Sequence, residues 1–154
     1  MEVENKLKQL GYELPEAPAP VANYVRAVQT GNLVYVAGQV PVLPEGTYLH
    51  VGKLGSDVSI DEGYACSRQC ILNSLAGLKT VIGDLDRVTR VVKLLCMINC
   101  APDFGDTPRV ANGASDLLVE LYGESGRHAR SAVGMGSLPD RVPVEIEMIV
   151  EIRD

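Results

Sequence analysis

Near its C-terminal end the sequence alternates strictly. Val144, Ile146, Met148, Val150 and Ile152 fall on one side of an extended chain, and Glu145, Glu147 and Glu151 fall on the other. Only Ile149 interrupts the acidic side. A period of two means a strand with one buried face, and therefore a sheet covered on one side. Just upstream, residues 130–137 are small and tolerate extended structure, and residues 138–143 carry turn formers including Pro139 and Pro143. That pattern predicts an antiparallel pair made of the two stretches. In such a pair Arg130 opens one strand and Glu145 sits near the start of the other. A guanidinium offers a planar fork for a carboxylate. A strand carboxylate offers a base or a group that orients water. The same two residues also read as an exposed cross-strand ion pair, which is common and contributes little.

The other elements follow from the same patterns. Residues 1–13 predict a short helix ending at Gly11, and the prolines of residues 14–20 impose an extended segment. Residues 24–30 and 33–37 predict strands joined at Gly31 and Asn32, a hairpin closed by Gly38. A glycine just past a strand marks close approach by another group. Residues 42–58 show no period and read as a mobile loop. Ser59 followed by Glu62 forms a capping box, and the helix behind it has Ile71, Leu75, Leu78 and Ile82 on one stripe, ending at Gly83. Residues 87–99 predict a long strand, with Val92, Leu94, Cys96 and Ile98 on one face and Val91, Leu95 and Met97 on the other. A strand apolar on both faces is covered on both. A second helix is predicted from Thr107 as N-cap and Pro108 as first helical residue, with Val110, Ala114, Leu117, Leu118 and Leu121 as its stripe. The result is a single α+β domain over residues 1–154, with both long helices on one face of a mixed sheet and residues 1–16 as an N-terminal extension. The opposite sheet face then lacks a cover within one chain, which predicts a homo-oligomer.

Composition narrows the function. A net charge of −6 disfavours binding to nucleic acid or to anionic membranes. No run is long enough to span a bilayer and the first residues do not form a signal peptide, so a cytoplasmic protein is expected. Cys66, Cys70, Cys96 and Cys100 form two pairs with three residues between partners. On one strand Cys96 and Cys100 would lie ~13 Å apart, too far to share an ion, and reduced buried thiols are expected rather than a metal site. Of the two histidines, His128 reads either as an edge of the Arg130 site or as a solvated loop residue, and His50 reads as having no role. A Ser131–His128–Asp triad lacks the strand-to-helix elbow such nucleophiles use.

Several stretches together resemble the RidA family, also called the YjgF or endoribonuclease L-PSP family. They are residues 19–24 ending in Tyr24, residues 31–39 ending in Ala37, Gly38 and Gln39, residues 129–133, Leu138 with Pro139, and residues 144–147. The likeness covers residues 17–152. It implies a chorismate-mutase-like fold and a homotrimer whose sheets form a central barrel, with small carboxylates held in clefts between neighbouring subunits. It also implies hydrolysis of 2-imino or enamine acids without metal or organic cofactor. The family arginine matches Arg130, which would clamp the carboxylate. The family glutamate matches Glu145, fifteen residues on, which would orient the attacking water. Tyr24 would line the cleft, Gly38 would admit the ligand to the backbone, and Asn112 falls one residue from the spacing of a family cleft asparagine. The family cysteine two residues after the arginine is Ala132 here, and Gly134 and Gly136 replace bulkier residues. These departures mark a divergent branch. A non-catalytic carboxylate-binding protein of the same fold is the alternative, and RNA cleavage a weaker one.

Overall fold

The computed structural model describes residues 1–17, 19 and 22–154. The extended segment expected over residues 14–20 has no regular element where it is described, and Pro18 and Pro20 lie outside the described residues. In chain order the elements are α1 (Glu2–Gln9), β1 (Ala27–Thr30), β2 (Leu33–Gln39), α2 (Ile60–Ile82), β3 (Val88–Asn99), α3 (Thr107–Tyr122), β4 (Ala129–Met135) and β5 (Val144–Ile152). The strands form one sheet in the order β1-β2-β5-β3-β4. β3 and β4 run parallel, and every other pair is antiparallel.

The hairpin expected of the last two strands does not form. β3 lies between them, pairing β5 on one edge and β4 on the other. The reason is the apolar character of β3 on both faces. A long strand of that kind is most stable inside a sheet, and its two hydrogen-bonding edges outcompete local pairing. The connection from β4 to β5 turns away through Pro139–Arg141, where Asp140 and Arg141 take positive φ of 52° and 61°. A tight hairpin turn would not carry the chain past an intervening strand. By contrast β1 and β2 pair as expected, Thr30 opposite Leu33, with Gly31 at φ 59° supplying the turn, although β1 starts at Ala27 and residues 24–26 of the expected strand lie outside it.

β5 buries Val144, Ile146, Met148, Val150 and Ile152 beneath the helices, as its alternation requires. On β3 the buried residues are Val88, Val91, Leu94, Cys96, Ile98 and Asn99. Val92 was expected in that set, but the register with β5 shifts between Val91 and Lys93, and one extra residue there exchanges the two faces. The helix α2 starts at the capping box: Glu62 N–H donates to Ser59 Oγ (3.1 Å) and Ser59 N–H to Glu62 Oε1 (3.0 Å). It ends at Gly83, φ 81°. The cap of α3 differs from expectation. Asp106 holds the N-cap position without a side-chain bond, and Thr107 is the first helical residue. The Thr107 hydroxyl instead donates to the Ala132 carbonyl (3.0 Å), tying the start of α3 to β4. The five apolar residues of the predicted α3 stripe are all buried.

The helices approach closely where Gly113 of α3 meets α2. A Cβ on Gly113 would run into the Tyr64 carbonyl, whose carbon would be 2.8 Å away. The loop over residues 42–58, expected to be mobile, is laced to the end of β3. Leu54 N–H donates to the Asn99 carbonyl (2.9 Å), Ala101 N–H donates to the Leu54 carbonyl (3.0 Å), and Leu54 and Val58 are buried. All four cysteines are free and buried. The sheet face away from the helices carries exposed Val28, Tyr35 and Val133, with Ile149, Leu95 and Met97 half-covered between them.

Candidate functional site

Arg130 stands on β4, level with Leu94 of β3, and therefore on the helix side of the sheet. Because β4 is an edge strand, the half-buried side chain lies between the sheet and α3 with one side open. Its Nη1 donates to Asn112 Oδ1 (2.9 Å) and to Ser115 Oγ (3.0 Å). The two acceptors are three residues apart on α3, which puts them on one helical face. Ser115 Oγ is also 2.9 Å from His128 Nε2, and His128 Nδ1 is 2.7 Å from the Gly126 carbonyl. His128 is therefore built into the site rather than solvated in a loop. Its proton affinity is held below the ordinary histidine value, first by burial and further by the Arg130 charge, while the Gly126 hydrogen bond partly offsets this. The group opens on a cleft of about 630 Å³ between α3 and β4, lined also by Asp116, Val119, Glu120 and Arg127. Ala132, two residues along β4, shares the face of Arg130, and a Cβ at Gly134 would press on Cys100 Sγ at 2.9 Å.

Glu145 stands elsewhere. It is level with Met97 on β5 and points to the helix-free side of the sheet. Gly38 lies against it: a Cβ on Gly38 would be 3.2 Å from Glu145 Cδ and Oε2. The Glu145 carboxyl is pushed above its usual range, chiefly by burial and then by the neighbouring Glu147 carboxylate. Tyr24, just before β1, is exposed. The sequence-based expectation that Arg130 and Glu145 face each other across a hairpin is thus corrected. Within one chain they lie on opposite faces of the sheet, with β3 between their strands. Two strand spacings alone separate them by ~10 Å. The structure brings together Arg130, Asn112 and Ala132 on one side, and Gly38 with Glu145 on the other.

The remaining candidates sort cleanly. Ser131 points to the helix-free side, where its hydroxyl accepts from Lys93 Nζ (3.2 Å), so it cannot meet His128. His50 pairs with Glu62 Oε2 at 3.1 Å, beside the α2 cap. Among the described residues no group of three or more histidine, cysteine, aspartate or glutamate side chains is placed to hold a metal ion. No described helix is long and apolar enough to cross a membrane. Ser115 escaped the reading of the sequence, although its position three residues after Asn112 on a predicted helix was a usable signal.

Residues 4–145 match the model of the YjgF/chorismate mutase-like endoribonuclease family. The chain belongs to this family. The YjgF-like chain is 43% identical over 99% of its length to protein TCP17 of Trypanosoma cruzi, covering 95% of that protein. It is also 33% identical to a 2-iminobutanoate/2-iminopropanoate deaminase of Dermatophagoides farinae, over 90% of this chain and 92% of the relative. Among solved structures, protein Atu1372 of Agrobacterium tumefaciens, of unknown function, superposes with a TM-score of 0.92 at 43% identity, covering 99% of this chain and 93% of that one.

Proposed function

We propose that the protein is a hydrolytic deaminase of small 2-imino or enamine carboxylic acids, acting without metal or organic cofactor in a cleft shared by two copies of the chain. The observation that carries this reading is the division of the site. A guanidinium with free donors sits at the edge of the sheet, and a half-buried carboxylate beside a glycine sits on the helix-free face. A second copy laid with its helix-free face against β4 brings the two halves to one ligand. The exposed Val28, Tyr35 and Val133 supply apolar surface for that contact. Three copies related by rotation close such a head-to-tail contact into a ring, giving a homotrimer.

In this site Arg130 binds the substrate carboxylate through paired N–H donors. Glu145 of the partner subunit takes a proton from water as the oxygen attacks the C=N carbon. That proton passes from Glu145 of the partner subunit to the imine nitrogen, giving a neutral carbinolamine. Glu145 of the partner subunit then carries the hydroxyl proton to the amine nitrogen as the C–N bond breaks, so that ammonia leaves and a 2-keto acid remains. The net change is addition of one water and loss of one ammonia. A carboxyl held above its usual range is closer to neutrality in its proton affinity and suits both directions of transfer. Tyr24 and Gly38 line the reacting end, and Ala132 leaves the wall beside Arg130 without a thiol.

The test is complementation. Arg130→Ala and Glu145→Gln proteins are each expected to release no ammonia above buffer from an imino acid generated in situ by an amino-acid oxidase. After co-refolding of equal amounts, roughly a quarter of the sites regain both residues if each site draws them from different subunits. Wild-type protein without turnover ends the deaminase reading. Mixed protein without recovery ends the shared-cleft reading. The separation of Glu145 from Arg130 in one chain favours a second reading, a carboxylate-binding protein without turnover. That reading predicts a keto-acid-dependent rise in Tm, lost in Arg130→Ala, with no ammonia.

A further inference from the structure

We propose that Ser115 and His128 are positioning residues that hold Arg130 by its Nη1 group and so leave the Nε–Nη2 edge as the only fork open to a substrate carboxylate. The inference rests on the deaminase site just described and specifies how that site presents its cation.

A guanidinium has five N–H bonds, two on each terminal nitrogen and one on Nε. Both hydrogens of Nη1 are taken, one by Asn112 Oδ1 and one by Ser115 Oγ. The end-on fork, which needs one hydrogen from each terminal nitrogen, is therefore closed. Among the described residues nothing accepts from Nε or Nη2, so the side-on fork keeps two parallel donors. A carboxylate bound there lies along the edge of the guanidinium, and its orientation is set before it arrives.

The direction of each hydrogen bond follows from the one group that cannot donate. The Gly126 carbonyl only accepts, so His128 carries a proton on Nδ1. Arg130 already donates to Ser115 Oγ, and a second donor at Nε2 would leave the hydroxyl hydrogen without its acceptor, while burial lowers the ring's proton affinity, so Nε2 accepts. The Ser115 hydroxyl must then donate to Nε2, and its oxygen is left to accept from Arg130. The order runs from Arg130 to Ser115 to His128 to the Gly126 carbonyl, with every donor facing an acceptor. Neither Ser115 nor His128 keeps a free N–H or O–H for the ligand, so their work is done through Arg130. The pair also resembles the serine and base of a hydrolase. Ser115, however, lies in the middle of α3 with its oxygen under the guanidinium, not on an exposed turn facing backbone donors.

Two measurements test this. The first is the side-chain ¹⁵N spectrum of the unliganded, assembled protein. Resolved, slowly exchanging Nη1 hydrogens are expected for Arg130 in the wild type and in Ser115→Thr, which keeps the hydroxyl. In Ser115→Ala the hydrogen that faces Ser115 is expected to lose its protection while the one on Asn112 keeps it, and in His128→Phe, which keeps a ring in place, the protection of the first is expected to weaken. The second is the affinity of pyruvate and 2-oxobutanoate probes. Ser115→Ala and His128→Phe should each lose about five- to tenfold, the worth of one hydrogen bond, with KM rising more than kcat falls. Because the two act in series, the double variant should lose no more than the worse single one. Additive losses, failure of Ser115→Thr to restore binding, or Nη1 hydrogens that exchange freely in the wild type would overturn the proposal. The spectrum needs no turnover. Protected Nη1 hydrogens in a protein that releases no ammonia would sink the deaminase reading and leave the positioning intact.

Discussion

The contact between Gly38 and Glu145 allows a sharp test, because adding one methyl group moves one carboxylate. Gly38 is not at positive φ, so alanine brings no backbone strain. Its Cβ would stand 3.2 Å from Glu145 Cδ and Oε2 and 3.3 Å from Cγ. Comfortable carbon contacts begin near 3.5–4.0 Å, so the carboxyl must retreat by about 0.5 Å. A retreat of that size corresponds to a side-chain rotation of about 20°, at up to roughly 1 kcal/mol. In a domain of this size that lowers Tm by about 2–4 °C. A catalytic group misplaced by 1 Å can cost about a hundredfold in rate, so half of that predicts about tenfold in kcat. Binding of pyruvate should fall less than kcat, because Arg130 of the partner subunit holds the carboxylate and Gly38 lines only the reacting end of the same cleft. The assay pairs steady-state ammonia release with a thermal melt, using Gly105→Ala as control, since a Cβ there meets nothing within 4 Å. A Gly38→Ala protein with lowered Tm and undiminished kcat would refute the placement of Glu145 at the reacting atoms.

Glu147→Gln should shift the acid limb of the kcat/KM profile. In the single chain burial and then the Glu147 charge raise the proton affinity of the Glu145 carboxyl, so removing that charge moves the limb lower without removing the burial contribution. Gly113→Ala should be strongly damaging for a single methyl, because the Tyr64 carbonyl is backbone and cannot swing aside. Overpacking of this kind costs about 1–3 kcal/mol, read as a shift in urea midpoint, and displaces Asn112 and Ser115 with the helix. His128 binds its proton less tightly in the folded chain than its ordinary value of 6.5. Its contribution to stability is therefore complete above pH 6.5 and is lost as pH falls toward the lower folded value, so a urea midpoint measured against pH should decline in that window, and less steeply in His128→Gln.

The elements were legible because each carries a local signature. The capping box at Ser59 and Glu62, the Gly31 turn and the alternation of residues 144–152 are decided by near neighbours in sequence, and all three hold. Pairing partners were not legible. Alternation says which side chains share a face, not which strand lies alongside, and β4 looked like the mate of β5 only because it comes next to it. The face shared by Val91 and Leu94 was hidden by a register shift that leaves no mark in composition. The same limit applies to the site. Arg130 and Glu145 were identified as a pair of chemical types, and Asn112 and Ala132 do lie with Arg130. Their division across the sheet depends on the path of residues 136–143, which the sequence leaves open. The loop over residues 42–58 was misread because its ties are long-range and aperiodic: backbone hydrogen bonds to Asn99 and Ala101, and Lys53 Nζ donating to Asn99 Oδ1 and the Gly136 carbonyl.

The last strand in chain order occupies the centre of the sheet, between β2 and β3. A nascent chain that has produced everything through residue 137 therefore holds two separate ribbons, β1 with β2 and β3 with β4, and a slot one strand wide between them. Only the nine residues of β5 bridge that slot. A protein severed between residues 136 and 143 should stay unfinished until a peptide bearing β5 is supplied, and then recover through main-chain pairing along both edges at once.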